Sequence, residues 1–267
     1  EKLEELFKKD REDYEKKWND ISIFIEYGMI ADPKFFERAE KFMLFKDTEG
    51  KYYTIEEYKK LIEENQKNKD NRLVYLYATN ADEQYSNIEN AKNKGYNVLL
   101  MDGILDSHFI STYEQKYGDC QFARVDSASI DKLIEKEGNN NESKLNDEQK
   151  ENIKKAFENV IDKVTFNVEF SNLGEDDAPV EIIQNEFMRR MKDMSMMGGG
   201  MQMWGSMPDN YILMLNTNNP IIAGLADKSE EEQANIIKHL YDLARLSKNL
   251  LKGKDLNEFV KRSFNEI

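Results

Sequence analysis

Residues 73 to 78 read Leu-Val-Tyr-Leu-Tyr-Ala, an unbroken apolar and aromatic run in a chain of 267 residues. A short run of this kind between polar segments predicts a strand that is buried on both faces. Two similar runs lie at 97–101 and 121–125, and helical patterns follow at about 80–95, 107–117 and 127–137. The alternation of strand and helix predicts a small parallel α/β subdomain over residues 71–138.

Upstream of this subdomain, residues 1–70 show mostly helical patterns. Apolar positions three or four apart over residues 3–25 predict one amphipathic helix, which Gly28 can end in the left-handed conformation. A hairpin signal follows, and Thr54 with Glu57 forms a capping box that starts another helix. We assign this segment to the same domain as the α/β subdomain.

Residues 139–147 are polar and rich in asparagine, which predicts a linker. Residues 148–267 then show an α+β pattern of helix and short strands, ending in two helices. Ser229 with Glu232 caps the first of these helices, and Gly253 can end it. The fold class is therefore α/β followed by α+β.

The overall composition limits the possible partners. The net charge of −14 at pH 7, without a basic stripe, argues against a nucleic-acid partner. No apolar run approaches the roughly 18 residues that span a bilayer, and a single cysteine excludes an internal disulfide. The chain opens within a helical pattern, without an initiator methionine or a signal peptide. We therefore expect a cytoplasmic fragment of a longer protein that binds neither nucleic acid nor membrane.

Few residues are candidates for chemistry. His108 and His239 lie in different predicted domains and have no other ligands at metal spacing, and Cys120 begins a predicted buried strand. Asp102 and Asp126 follow two parallel strands, where open α/β sheets bind ligands, but aspartate is also a common N-cap. The sequence predicts no catalytic residue and no metal site. A small-ligand-binding α/β domain with an oligomerisation module is the alternative function.

Nine of the twelve methionines lie between Met188 and Met214. Methionine is flexible and polarizable, so a methionine-rich surface can adapt to many partners. On a helix starting near Asn185, the apolar side chains share one face, and three glycines then favour a loop. The pattern favours binding of other proteins, with packing on its own domain or a membrane surface as alternatives. The predicted binding residues are Phe187, Met188, Met191, Met194, Met197, Met201, Met203 and Trp204.

The last two helices carry a wide apolar face. A face wider than one stripe needs cover on more than one side, and a second copy of the chain could complete a four-helix bundle. This pattern favours a homodimer over packing within one chain. The predicted dimerisation residues are Ile236, Ile237, Leu240, Leu243, Ala244, Leu250, Leu251, Leu256, Phe259, Val260 and Phe264.

Several of these stretches resemble the ninety-kilodalton heat-shock chaperones, and the chain is most similar to the bacterial members. The resemblance covers nearly the whole chain, with motifs in the same order in both domains. The motifs lie at Trp18 to Ile30, Tyr53 to Tyr58, Val74 to Ala78, Val98 to Asp102, Phe122 to Asp126, Glu186 to Met194 and Tyr211 to Pro220.

The resemblance implies a homodimeric, ATP-driven chaperone that binds partly folded client proteins. It implies that Phe187, Met191 and Met194 lie on the client-contacting helix, and that the terminal helices form the dimer. The family's nucleotide-binding domain and catalytic-loop arginine have no counterpart in these 267 residues. We therefore expect this fragment to hydrolyse no ATP and to bind neither ATP nor magnesium.

Overall fold

A computed structural model describes residues 2–136, 141–198 and 210–265. The chain divides into two compact units. The first contains Glu1–Glu137 together with Glu186–Gly205, and the second contains Gly138–Asn185 and Ser206–Ile267. The methionine-rich helix thus packs within the first unit. The predicted boundary at the 139–147 linker stays a prediction.

The first unit begins with four helices, α1 (Lys2–Lys9), α2 (Arg11–Lys16), α3 (Trp18–Ala31) and α4 (Pro33–Ala39). The prediction of one helix ended by Gly28 is therefore wrong. Asp10 has extended backbone geometry, and its carboxylate accepts a hydrogen bond from the Asp13 amide at 3.0 Å, which starts α2. Gly28 instead lies within α3, where a Cβ atom would come within 2.7 Å of the Phe35 ring.

A small hairpin follows these helices. Strands β1 (Leu44–Lys46) and β2 (Tyr52–Thr54) pair antiparallel, and α5 (Ile55–Ile62) starts directly after them. The predicted capping box at the start of α5 is confirmed. The Glu57 amide donates to Thr54 Oγ1 at 3.2 Å, and the Thr54 amide donates to the Glu57 carboxylate at 2.8 Å.

The apolar run of residues 73–78 forms the central strand of a parallel sheet. Strand β3 (Leu73–Ala78) lies between β4 (Leu99–Leu100) and β5 (Cys120–Arg124), and it is parallel to both. Every residue of β3 is buried. Tyr75 and Tyr77 face one hydrophobic core, and Val74, Leu76 and Ala78 face another, as alternation along a strand requires. The predicted parallel arrangement is confirmed.

Three helices connect and follow these strands, namely α6 (Tyr85–Asn93), α7 (Asp106–Lys116) and α8 (Ile130–Leu133). Gly95 has a φ of 79° just after α6, as expected of a glycine that ends a helix. Gly118, in contrast, has no positive φ, and α7 ends before it. The third helix is much shorter than the predicted range of 127–137.

The second unit has a mixed three-stranded sheet and four α-helices in its described part. Helix α9 (Asp147–Glu158) precedes β6 (Phe166–Ser171) and β7 (Val180–Gln184), and β8 (Tyr211–Asn216) is the central strand. Strand β8 is parallel to β6 and antiparallel to β7. Inward-facing residues of this sheet, such as Val168 and Leu213, form the core of the unit with α9 and the later helices.

Helices α11 (Pro220–Gly224), α12 (Glu230–Ser247) and α13 (Gly253–Asn265) complete the second unit. The predicted capping box of Ser229 and Glu232 is present at the start of α12. The prediction that α12 continues to Gly253 is wrong. The helix ends at Ser247, Asn249 adopts a φ of 56°, and Gly253 opens α13 instead of closing α12.

Candidate functional site

The methionine-rich segment begins with a 13-residue helix, α10 (Glu186–Gly198). Its first turns contain glutamate, arginine, lysine and methionine, which are all good helix formers. Glu186 lies in the first turn, where a carboxylate interacts favourably with the helix dipole. These local preferences explain why the chain becomes helical directly after β7.

Helix α10 turns Glu186, Arg189 and Arg190 inward and two apolar residues outward. Arg189 is only 9% exposed, whereas Phe187 is 65% exposed and Met188 is 41% exposed. Met191 and Met194 are half-buried, and the Ser111 hydroxyl of α7 lies 3.8 Å from the Met194 sulfur. The apolar side chains that the sequence places on one face therefore form a partly exposed strip on the first unit.

The remaining predicted binding residues lie outside the described part of the chain. This applies to the side chain of Met197 and to residues Met201, Met203 and Trp204. The described strip consists of Phe187, Met188, Met191 and Met194, and we refer to these four residues as the α10 strip.

The predicted dimerisation residues separate into two groups. Most of them are buried or pack against the core of the second unit. These residues are Ile236, Ile237, Leu240, Ala244, Leu250, Leu251 and Phe259. Leu243, Val260 and Phe264 are exposed large apolar side chains, as is Leu246, and Leu256 is half-buried. The exposed residues of α12 and α13 are thus available for contact with another molecule.

A buried aspartate, Asp242, joins α12 to α13 and is not among the residues predicted from the sequence. Asp242 is fully buried and accepts hydrogen bonds from Lys238 at 3.2 Å and from Arg262 at 2.8 Å. Arg245 contacts it at 3.4 Å and also binds Asp255 at 2.8 Å. The only sequence signal was an acidic residue within an otherwise apolar stretch of α12.

A second unanticipated feature is a group of carboxyls between α3 and α7. Glu26 and Asp106 are both buried, and together with Asp102 they line a cavity of about 70 Å³. Burial, followed by the nearby Asp106 and Asp102 charges, raises the pKa of Glu26 to about 8. Burial also raises the pKa of Asp106 to about 7, although the Gly103 amide opposes this by donating a hydrogen bond at 2.7 Å.

The aspartates proposed for ligand binding have local roles in the structure. Asp126 pairs with the Arg124 guanidinium. Asp102 belongs to the cluster of three carboxyls that also contains Glu26 and Asp106. A cavity of about 410 Å³ lies at the opposite, amino end of β3 and β5, lined by Leu73 and Cys120. That cavity is not the crevice that the two aspartates would form.

Two further candidates for chemistry are Cys120 and His239. Burial, followed by the charges of Asp119 and Glu114, raises the pKa of Cys120 to about 12, so the thiolate is disfavoured. The His239 ring lies 5.6 Å from the Phe259 ring. Residues 2–136, 141–198 and 210–265 contain no group of histidine, cysteine or acidic side chains that could hold a metal. Within the same residues, no helix is both long and apolar enough to span a membrane.

Comparison with known proteins defines the class. The whole chain, residues 1–267, matches the family profile described as Hsp90 protein. The chain therefore belongs to the Hsp90 family of chaperones, and the resemblance inferred from the sequence is confirmed.

The particular relatives are bacterial. The chain is 41% identical over 334 residues to the Chaperone protein HtpG of Bacteroides thetaiotaomicron, covering 100% of this chain and 49% of that protein. It is 47% identical over 224 residues to the Chaperone protein HtpG of Porphyromonas gingivalis, covering 83% of this chain and 33% of that protein. The HtpG of Wolinella succinogenes is 27% identical over 266 residues. The chain spans about half the length of the Bacteroides relative.

Proposed function

We propose that this chain is the client-binding and dimerisation part of an HtpG-type chaperone. The observation that carries the proposal is the exposure of Phe187 and Met188 on a helix whose charged face is packed against the first unit. Such a surface offers apolar contacts without opening the core. Each of these side chains would contribute roughly 1.5–3 kcal/mol if a bound client buried it completely.

The second part of the proposal is a homodimer through α12 and α13. Leu243, Leu246, Val260 and Phe264 are exposed on these two helices, and paired terminal helices from two copies would cover them. Two copies would also present two α10 strips to one client, which increases the effective affinity.

The whole protein would act as an ATP-dependent folding chaperone in the cytoplasm. ATP and magnesium would bind to a part of the protein that these 267 residues do not include, so this fragment would be neither an enzyme nor a cofactor-binding protein. Its partners would be partly folded proteins and a second copy of itself. We propose no nucleic-acid or membrane partner, because the net charge is −14.

Client binding is tested with fluorescein-labelled, reduced and carboxymethylated α-lactalbumin, a permanently unfolded protein. We expect the double variant Phe187→Ser, Met188→Ser to bind it at least about tenfold more weakly than the unchanged chain, measured by fluorescence anisotropy. The matched control is Tyr85→Ser with Ile104→Ser, which removes two exposed apolar side chains elsewhere on the first unit. Equal weakening by both double variants would contradict a specific role of the α10 strip.

A further inference from the structure

The inward face of α10 is charged, which is unusual for the packed face of an amphipathic helix. Glu186, Arg189 and Arg190 are spaced three and four residues apart and therefore share one face. Their side chains are 19%, 10% and 12% exposed. Hydrophobic burial alone does not explain how this face is held, so its polar contacts must position the helix.

Arg190 contacts three different elements of this interface. Its guanidinium donates to Glu114 on α7 at 2.8 Å, to the Phe122 carbonyl on β5 at 2.6 Å and to Glu186 at 2.7 Å. Burial alone would lower the pKa of Arg190, but Tyr77, Glu114 and Glu186 raise it above its usual value. Arg190 therefore stays charged and joins α10 to a helix and a strand of the first unit.

Tyr77 on β3 provides the second anchor. Its hydroxyl donates to the Glu186 carboxylate and accepts a hydrogen bond from Arg189 at 2.7 Å. Burial, followed by the Glu186 charge, raises the pKa of Tyr77 above its usual value, so the phenol stays protonated and can donate. We refer to Tyr77, Glu114, Glu186, Arg189 and Arg190 as the polar latch.

The polar latch is balanced in charge. Two arginines face two glutamates, so docking of α10 leaves no net buried charge. Burial would raise the pKa of Glu186, but Arg189, Tyr77 and Arg190 oppose this effect and lower the pKa, so the Glu186 carboxylate stays charged. The charge balance is therefore what allows this face of α10 to be buried.

Docking also affects whether α10 is helical at all. An isolated helix of 13 residues is marginally stable in water, so α10 depends on tertiary contacts to stay folded. A helix that is already ordered presents its apolar side chains in a fixed arrangement, and binding then requires less ordering. The α10 residues of the polar latch and those of the α10 strip lie on different faces of the same helix.

We propose that the polar latch is a positioning device that keeps α10 folded with Phe187 and Met188 directed outward, and that client affinity depends on it. This inference rests on the proposed client-binding function. The residues of the polar latch act by positioning α10 and do not themselves contact the client.

The test uses Glu114→Gln combined with Tyr77→Phe in the full 267-residue chain. Glutamine keeps the acceptor for the Phe122 amide, which Glu114 binds at 2.6 Å, but it removes the charge that pairs with Arg190. The matched control combines Glu56→Gln with Tyr85→Phe, two exposed residues of the first unit. Hydrogen exchange of peptides covering residues 186–198 reports docking, and anisotropy with labelled carboxymethylated α-lactalbumin reports client affinity.

We expect exchange in residues 186–198 to become about tenfold faster in the latch variant, with unchanged exchange in residues 230–247. The client dissociation constant should rise severalfold while the amplitude at saturation stays the same. The control variant should change neither quantity. Unchanged exchange in residues 186–198 would overturn the latch, and faster exchange with unchanged client affinity would overturn its positioning role.

The two proposals fail in different ways. If Phe187→Ser with Met188→Ser leaves client affinity unchanged but the latch variant still accelerates exchange in α10, then the client-binding function fails and the docking remains. If the apolar variant weakens binding but the latch variant changes neither exchange nor affinity, then only the latch proposal fails.

Discussion

Arg262 on α13 donates a hydrogen bond to Asp242 on α12 at 2.8 Å, although the Asp242 side chain is only 1% exposed. We expect Asp242→Asn to lower the free energy of unfolding of the second unit by about 3 kcal/mol, because it leaves partly buried cations without their counter-charge. Urea unfolding followed by circular dichroism measures the change. The control is Glu258→Gln, which removes an exposed ion pair with Lys254 on α13. It should change the free energy of unfolding by less than about 0.5 kcal/mol. Equal midpoints for both variants would contradict a structural role of Asp242.

We expect the first unit to lose stability as pH rises, because the buried carboxyls of Glu26 and Asp106 must then ionise. Their pKa values of about 8 and about 7 in the folded state lie above the ordinary values of 4.5 and 3.8. The stability of the neutral pair is fully present below the ordinary values and is lost as pH rises through about 7 to 8.

The Glu26→Gln variant tests this pH dependence by urea unfolding at pH 5.0, 7.0 and 8.5, in buffers of equal ionic strength. Glutamine cannot ionise, so we expect the variant to be more stable than the unchanged chain at the highest of these pH values, with a smaller difference at the lowest. Glu56→Gln, on an exposed position of α5, should keep the original pH dependence. A pH profile that is the same with and without Glu26 would contradict the assignment.

Gly28 predicts a steric effect that opposes helix propensity. In an ordinary helix interior, replacing glycine by alanine stabilises by about 1 kcal/mol. Here the added Cβ would lie 2.7 Å from Phe35, so we expect Gly28→Ala to destabilise the first unit by about 1–2 kcal/mol. Urea unfolding measures the effect of Gly28→Ala in the unchanged chain and in a Phe35→Leu variant. The destabilisation should be smaller in the Phe35→Leu variant, because the ring that the added Cβ meets is absent there. A stabilising effect of Gly28→Ala in the unchanged background would refute the close-packing account.

If a second copy of the chain covers the exposed apolar residues of α12 and α13, the protein has the mass of a dimer in solution. We expect light scattering behind a sizing column to give about twice 31.4 kDa at low micromolar concentration, and Leu243→Ser with Phe264→Ser to shift it toward 31.4 kDa. Val164→Ser, an exposed apolar position of the second unit outside these helices, is the control. A monomeric unchanged chain would remove the dimerisation part of the proposal.

Local patterns predicted much of the secondary structure. Strand β3 has the predicted bounds of 73–78, because its composition, length and polar flanks all favour a buried strand. The capping boxes at Thr54 and Ser229 also lie where the sequence placed them. Each of these features depends on residues within a few positions of one another, so the sequence contains the information directly.

The features that the sequence did not predict depend on tertiary contacts. Apolar spacing identified the face with Phe187 and Met191, but it could not indicate that the neighbouring face, with Arg190, makes polar contacts with α7 and β5. Glu26 likewise has no sequence signal, because its burial results from the approach of Asp106 on another helix. The break at Asp10 depends on a single side-chain cap that competed with continuous helical periodicity.

The most direct test of client binding replaces Phe187 with the photo-reactive p-benzoylphenylalanine and mixes the chain with labelled carboxymethylated α-lactalbumin. Phe187 is 65% exposed, and Tyr85, at 63%, is the matched position for the same replacement on α6. We expect irradiation to cross-link the client at position 187 much more strongly than at position 85. Equal or absent cross-linking at position 187 would contradict the claim that α10 is the client-binding surface.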